Sequence, residues 1–143
     1  MTIKQLSIFV ENKPGRLAEI TEMLAREGVD IRAVCVSDTR EFGILRLIVS
    51  DPEAGAEKLR DYHCTFSLTD VLVLRIDDQP GGLAAPMRIL SDQGISVEYM
   101  YAFVSKGNTG AYIIFRVEEP EKATALLTGA GISLATQEEI KNL

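Results

Sequence analysis

Two α+β units in tandem, each ordered β-α-β-β-α-β, are what this sequence predicts, and three observations carry the prediction. The stretch Asn12-Lys13-Pro14-Gly15-Arg16-Leu17-Ala18 returns as Asp78-Gln79-Pro80-Gly81-Gly82-Leu83-Ala84, 66 residues further on. The offset persists, with Leu24 matching Leu90, Gly28 matching Gly94, Val29 matching Ile95 and Ile31 matching Val97. Around each copy, hydrophobicity switches from a strand-like run to helical spacing and back.

In the first copy, Gln5–Val10 alternates and then turns wholly apolar, as a central strand covered at one end does. After the turn Glu11–Gly15, Leu17, Ile20, Met23 and Leu24 recur at helical spacing opposite Glu19, Glu22, Arg26 and Glu27. Gly28 suits the left-handed residue that ends such a helix. Asp30–Ser37 reads as a second strand, the polar link Ser37–Phe42 as a hairpin, and Gly43–Val49 as a third strand. Ser50-Asp51-Pro52 stops that strand and starts a helix, since proline fits the first helical turn. That helix, Ala54–Tyr62, is diluted by Gly55, and a short strand near Thr65–Leu68 closes the unit.

The second copy repeats the order. Val71–Ile76 is a strand, Asp77–Gly82 the turn, and Leu83–Gln93 a helix in which Pro86 is admissible only near the start. Ile95–Val104 and Ala111–Val117 form a hairpin about a loop at Lys106-Gly107-Asn108. Pro120 opens a helix to about Thr128, Ile132–Ala135 is a last short strand, and Gln137–Leu143 is a helical tail. Right-handed β-α-β crossovers fold each unit into a four-stranded antiparallel sheet with both helices on one face, the ferredoxin-like sandwich. The expected units are 1–69 and 70–143. Pairing of the edge run Ile31–Val36 with its counterpart Val97–Val104 would join the sheets side by side into one of eight strands.

Composition narrows the function. The chain has 143 residues, 46% hydrophobic and 25% charged, with a net charge of −6. Residues 1–69 hold 9 basic and 11 acidic side chains, and residues 70–143 hold 6 and 10. Neither half offers a basic patch, which excludes a nucleic-acid backbone or an anionic membrane as main partner. No apolar run reaches membrane-spanning length and no signal peptide opens the chain, so a cytoplasmic protein is expected. Cys35 and Cys64 lack metal or redox spacing and read as small buried side chains. No catalytic constellation, cofactor motif or metal site stands out. His63 is the sole histidine, at the end of the second helix, and is not expected to act as a general base. Arg16 occupies a phosphate-facing turn, but the glycine-rich, arginine-ending loop of acylphosphatase-like enzymes is missing.

The first turn carries the most chemistry. A helix begins there with unpaired N–H groups and a dipole that favours negative charge, and Gly15 leaves the backbone approachable. A carboxylate would dock on that backbone with the Asn12 amide beside it. Asp30, placed at the same end of the sheet, would pair with an ammonium group. The alternative is that Asn12 only fixes the turn and Asp30 is a solvated strand end.

The pattern of an apolar strand, Asn/Asp-x-Pro-Gly-x-Leu-Ala, an amphipathic helix and Gly-Val/Ile-x-Ile resembles the ACT domain, a small regulatory module that binds amino acids. It occurs twice and covers Gln5 to Ala135. The resemblance implies a ligand held where two units meet, between the turn after the first strand and the start of a neighbour's second strand. It therefore implies a site of Asn12, Lys13, Pro14, Gly15, Arg16 and Leu17, with Asp30 and Ile31 opposite. Tyr99 and Met100 either are core at the seam or wall that pocket, and the second reading favours a mid-sized or aromatic amino acid over glycine. The second copy has Asp78, Pro80, Gly81, Gly82, Leu83 and Ser96 in these places. It lacks a cation and adds Asp77, so it is expected to be the weaker site. Some amino-acid-binding members carry a histidine two residues before the turn asparagine, where this chain has Val10 and Ile76. The expectation is a non-enzymatic sensor of a free amino acid, acting as a homodimer or on a separate enzyme. The alternative is an interaction module with no ligand.

Overall fold

The computed structural model describes residues 1–38, 41–104 and 110–143. Thr39 and Arg40 of the first hairpin link, and the loop expected at Lys106–Asn108, lie outside the described residues. Two compact units divide the chain. The first gathers Lys4–Thr69 with Asn142, and the second Asp70–Lys141 with Met1–Ile3 and Leu143.

In the first unit β1 (Ile3–Glu11), α1 (Arg16–Arg26), β2 (Ile31–Asp38), β3 (Phe42–Val49) and α2 (Pro52–Asp61) lead into β4 (Phe66–Asp77). β1 pairs antiparallel with β3, and β3 with β2. Leu6, Ile8, Val10, Leu45 and Leu47 share one sheet face and pack with Ile20, Met23, Leu24 and Leu59 of the helices. Burying these side chains is the main stabilising term of the unit, at about 1.5–3 kcal/mol each. α2 begins as Ser50-Asp51-Pro52 foretold. Pro52 stands at its first position and the Asp51 carboxylate accepts the Ala54 N–H at 3.0 Å. Gly55 leaves room for Leu6, since a β-carbon there would sit 2.9 Å from Leu6 Cδ1.

In the second unit the C-terminal part of β4 precedes α3 (Ala84–Asp92), β5 (Val97–Val104), β6 (Gly110–Val117), α4 (Pro120–Gly129) and α5 (Gln137–Lys141). Leu72, Leu74, Ile113, Phe115 and Val117 face Leu90, Ala123 and Leu127. Pro86 is the third residue of α3, inside the first turn where its missing N–H costs no intrahelical bond. α5 lies on the opposite sheet face from α3 and α4. Its Glu139 pairs at 2.7 Å with Arg75, whose register partner is Tyr112. A capping box fixes α5, the Thr136 hydroxyl accepting from Glu139 N–H and the Glu139 carboxylate from Thr136 N–H. Ile140 is fully buried beneath it.

The hydrogen-bonded order is β2-β3-β1-β4-β6-β5, a six-stranded sheet, and the expected eight strands are not formed. Two changes account for the difference. The strands expected near Thr65–Leu68 and Val71–Ile76 are one continuous strand, β4, which belongs to both units. The run Ile132–Ala135 shrinks to a bridge between Leu134 and Leu74. β2 and β5 are the two ends of that order.

Candidate functional site

Gly15 makes the first turn possible. It adopts φ 88° and ψ −15°, a left-handed conformation, directly before Arg16. No side chain caps the helix there, and a β-carbon at Gly15 would meet nothing within 4 Å. The Arg16 N–H donates to Lys13 O at 3.4 Å, and the N–H groups that follow it begin the helix with positive dipole behind them. The Asn12 N–H donates to Glu41 O at 2.9 Å, anchoring the turn to the start of β3. Leu17 is 44% exposed beside it.

The charges around this turn are partly engaged. Lys13 Nζ lies 2.9 Å from Glu11, and this contact, with the Lys13 charge behind it, holds the Glu11 carboxyl below its ordinary 4.5. Desolvation opposes this, and the Arg16 charge lowers it by less still. The Arg16 guanidinium lies 3.2 Å from Glu19 in the same first turn. A groove of about 290 Å³ runs from Arg16 along α1 past Ile20 and Met23 to Arg26, with Tyr62 and Cys64 opposite. Sequence reading missed it, because Tyr62 and Cys64 reach α1 only through the packing of α2.

The second turn is built differently. Gly81 repeats the positive φ at 87°. Gly82 replaces Arg16, and a β-carbon there would collide with the Asp77 carbonyl oxygen. Gly82 N–H donates to Gln79 O at 3.0 Å and Ala84 N–H to Gly81 O at 3.1 Å, so turn carbonyls occupy these donors. α3 begins only at Ala84.

Asp30 is not at the end of the sheet where it was expected. Glu11 pairs with Phe42 and Asp38 with Gly43, so the first turn, the end of β2 and the start of β3 share one end. Ile31 pairs with Val49, which sets Asp30 and Ile31 at the far end, about 25 Å away along an eight-residue strand. The reason is the crossover itself: α1 runs back along the sheet before β2 begins. Asp30 there is 3.0 Å from Arg32, and its N–H donates to Ser50 Oγ.

Tyr99 and Met100 stand on opposite sheet faces. Tyr99 is paired with Arg116, whereas Met100 is paired with Phe115 on the helix side. A pocket confined to one face therefore takes one of them. Ser96 directly precedes β5, as Asp30 precedes β2. Among the described residues no group of three or more His, Cys, Asp or Glu is placed to hold a metal. No described helix is long and apolar enough to cross a membrane.

The chain is thus a pair of small α+β units, each with a glycine of positive φ at its first β-to-α turn. The sequence model of the ACT domain pair matches residues 1–143, and the chain belongs to that family. Protein BT0572 from Bacteroides thetaiotaomicron is 39% identical over 100% of this chain and 98% of that one, with a TM-score of 0.94. The ligand-free regulatory subunit of aspartate kinase from Thermus thermophilus shares the fold at 16% identity and a TM-score of 0.64, covering 89% and 91%. The regulatory subunit from Thermus flavus does so at 17% and 0.61, covering 90% and 89%. No curated protein matches the sequence.

Proposed function

We propose that this ACT pair senses a free amino acid, whose carboxylate docks on the first turn of α1. The carrying observation is the start of α1 behind Gly15, where no side chain caps the helix and a β-carbon on Gly15 would meet nothing within 4 Å. The weaker second site follows from Ala84, whose N–H is already spent on Gly81 O, and from Gly82 N–H, bound to its turn carbonyl at 3.0 Å where Arg16 N–H is at 3.4 Å from its own.

The ammonium partner has to come from a second copy, since Asp30 of the same unit lies at the far end of the sheet. Among the described strands β2 pairs only with β3, and Val34 (56% exposed) and Val36 (44%) stand bare beside its outer edge. An unpaired apolar edge is a ready template for another strand. Antiparallel addition of a second copy's β2 would bring that copy's Asp30 and Ile31 to the Asn12–Leu17 end. Addition of its β5 would instead bring Ser96, with Met100 on the helix side and Tyr99 on the other. The active species in this reading is a homodimer that acts on its own assembly or on a separate enzyme. The likeness in fold to aspartate kinase regulatory subunits supports a regulatory role. An assembly module without ligand is the second reading, favoured by the bare Val34 and Val36.

Thermal-shift screening of the twenty amino acids separates the two. A ligand at 100 times its dissociation constant adds about 2.7 kcal/mol, a rise in Tm of several degrees for a chain of this size. Asn12→Ala should abolish the rise while Asp78→Ala leaves most of it. Flat traces from protein shown by native mass spectrometry to be ligand-free would leave the assembly reading.

A further inference from the structure

We propose, resting on the carboxylate site above, that the groove beside α1 receives the side chain of the docked amino acid and selects an aromatic one. The groove of about 290 Å³ lies wholly in the first unit, with Arg16, the residue after Gly15 in the turn, at its mouth. Its volume is near the lower bound of small-molecule pockets, about 300 Å³, which suits one large side chain rather than a nucleotide.

Reach and direction both fit. Ile20 lies about 6 Å and Met23 about 10 Å along the helix from Arg16. An aromatic side chain anchored at the turn extends to Ile20, whereas that of alanine or serine ends at the mouth. The groove is on the α2 side of α1, because Tyr62 and Cys64 follow α2 and lead into β4. β2, whose edge would take the second copy, is at the other end of the order β2-β3-β1-β4. A tetrahedral α-carbon sends its ammonium and its side chain apart, and this layout asks for that. The ammonium goes toward the second copy, and the side chain toward Tyr62.

The lining sets the class of side chain. Ile20 and Met23 are buried in the floor, and Tyr62, 55% exposed, stands opposite as a wall. The Cys64 thiol, 3.9 Å from Tyr62 O as its donor, sits beside that wall. A flat ring finds there another ring to stack on and two sulfurs, those of Met23 and Cys64, for its edge. The rim sets Arg16 and Arg26 against Glu19 and Glu22, so no net charge draws a lysine or glutamate side chain. The internal repeat shows that the fold does not require this lining. Gly131 closes α4 with the same bonds as His63 closes α2, which sets Ala130 in the place of Tyr62 and Ile132 in that of Cys64. Gly82 replaces Arg16. The first unit has a mouth and a wall where its twin has neither.

Calorimetric titration of the full chain with L-phenylalanine, L-alanine, L-lysine and L-glutamate tests this. Phenylalanine should bind at least about tenfold more tightly than alanine, the least that a buried difference of this size gives in an apolar pocket, and ahead of both charged amino acids. In NMR spectra its ring current should shift the Ile20 and Met23 methyl signals, which alanine should leave in place. Tyr62→Ala should bring phenylalanine down toward alanine and Tyr62→Phe should keep the preference, with melting curves confirming that both variants fold. Asn12→Ala should weaken phenylalanine and alanine alike. Equal affinity for these two, preference for a charged amino acid, or a preference that survives Tyr62→Ala would overturn the role of the groove and leave the turn site standing. Binding of none of the four overturns it also, and titration of the remaining amino acids then shows whether the turn site falls with it.

Discussion

Replacing His63 by glycine should stabilise the first unit, although it removes a side chain. Three of the long helices end in one motif. After α1, Gly28 N–H donates to Ala25 O and Val29 N–H to Leu24 O. After α3, Gly94 and Ile95 repeat this with Ser91 and Leu90, and after α4 Gly131 and Ile132 do so with Thr128 and Leu127. All three glycines have positive φ. After α2 the same bonds run from His63 to Arg60 and from Cys64 to Leu59, but the left-handed residue is a histidine at φ 56°. A left-handed residue with a β-carbon costs about 1–2 kcal/mol, and the greater unfolded-state freedom of glycine returns about 0.5–1 kcal/mol. The net expectation is a gain of about 0.5–1 kcal/mol, or about 1–4 °C in Tm. Thermal and urea melts of His63→Gly would measure it, with His63→Ala expected to gain nothing because it keeps the β-carbon. Gly28→Ala should lose about 1 kcal/mol, since its new β-carbon meets nothing within 4 Å and the cost is purely conformational. An equal gain from His63→Ala, or none from His63→Gly, would refute the strain at this cap.

Asp51→Ala removes the acceptor for Ala54 N–H and should lower stability by about 1 kcal/mol in urea unfolding. Gly55→Leu should cost about 1–3 kcal/mol by overpacking against Leu6, outweighing the roughly 1 kcal/mol that any better helix former gains over glycine. Ile140→Ala should cost about 2–4 kcal/mol and expose the segment around α5 to proteolysis, because a helix of five residues has no stability of its own. Lys13→Met should return the Glu11 carboxyl toward 4.5 in an NMR pH titration. The sign is that of a lowered carboxylate: its contribution is present above 4.5 and fades as pH falls through the lowered value.

Local chemistry made most elements legible. Pro52 and Pro120 open α2 and α4, and Gly28 and Gly94 close α1 and α3, because these residues act through their own backbone. What failed depended on distant residues. Nothing in Thr65–Ile76 announces a turn or its absence, and Ser67, Thr69 and Asp70 weaken the apolar run enough to read as a break. The structure keeps it extended because Phe66–Thr69 and Asp70–Asp77 are needed as strands by successive units. Gly55 read as a flaw in a helix because Leu6, which needs the space, is 49 residues away. The C-terminal helix was visible, but the residues that hold it, Val73 and Arg75 bonded to Ala135 and Ser133 and Arg75 paired with Glu139, lie far back in the chain.

The misplacement of Asp30 sharpens the functional reading. A strand that follows a right-handed crossover begins at the end of the sheet opposite the turn that launched the helix. No single βαββαβ unit can therefore bring its own Asn12 and Asp30 together, whatever its side chains. A ligand that needs both the helix start and the carboxylate demands a second strand running the other way, and β2, which among the described strands pairs only with β3, offers an edge for it. The dimer is then a geometric condition of the proposed site. Mixing an Asn12→Ala chain with an Asp30→Ala chain should restore one working site per heterodimer, a complementation that a site contained within one chain's first unit would not show.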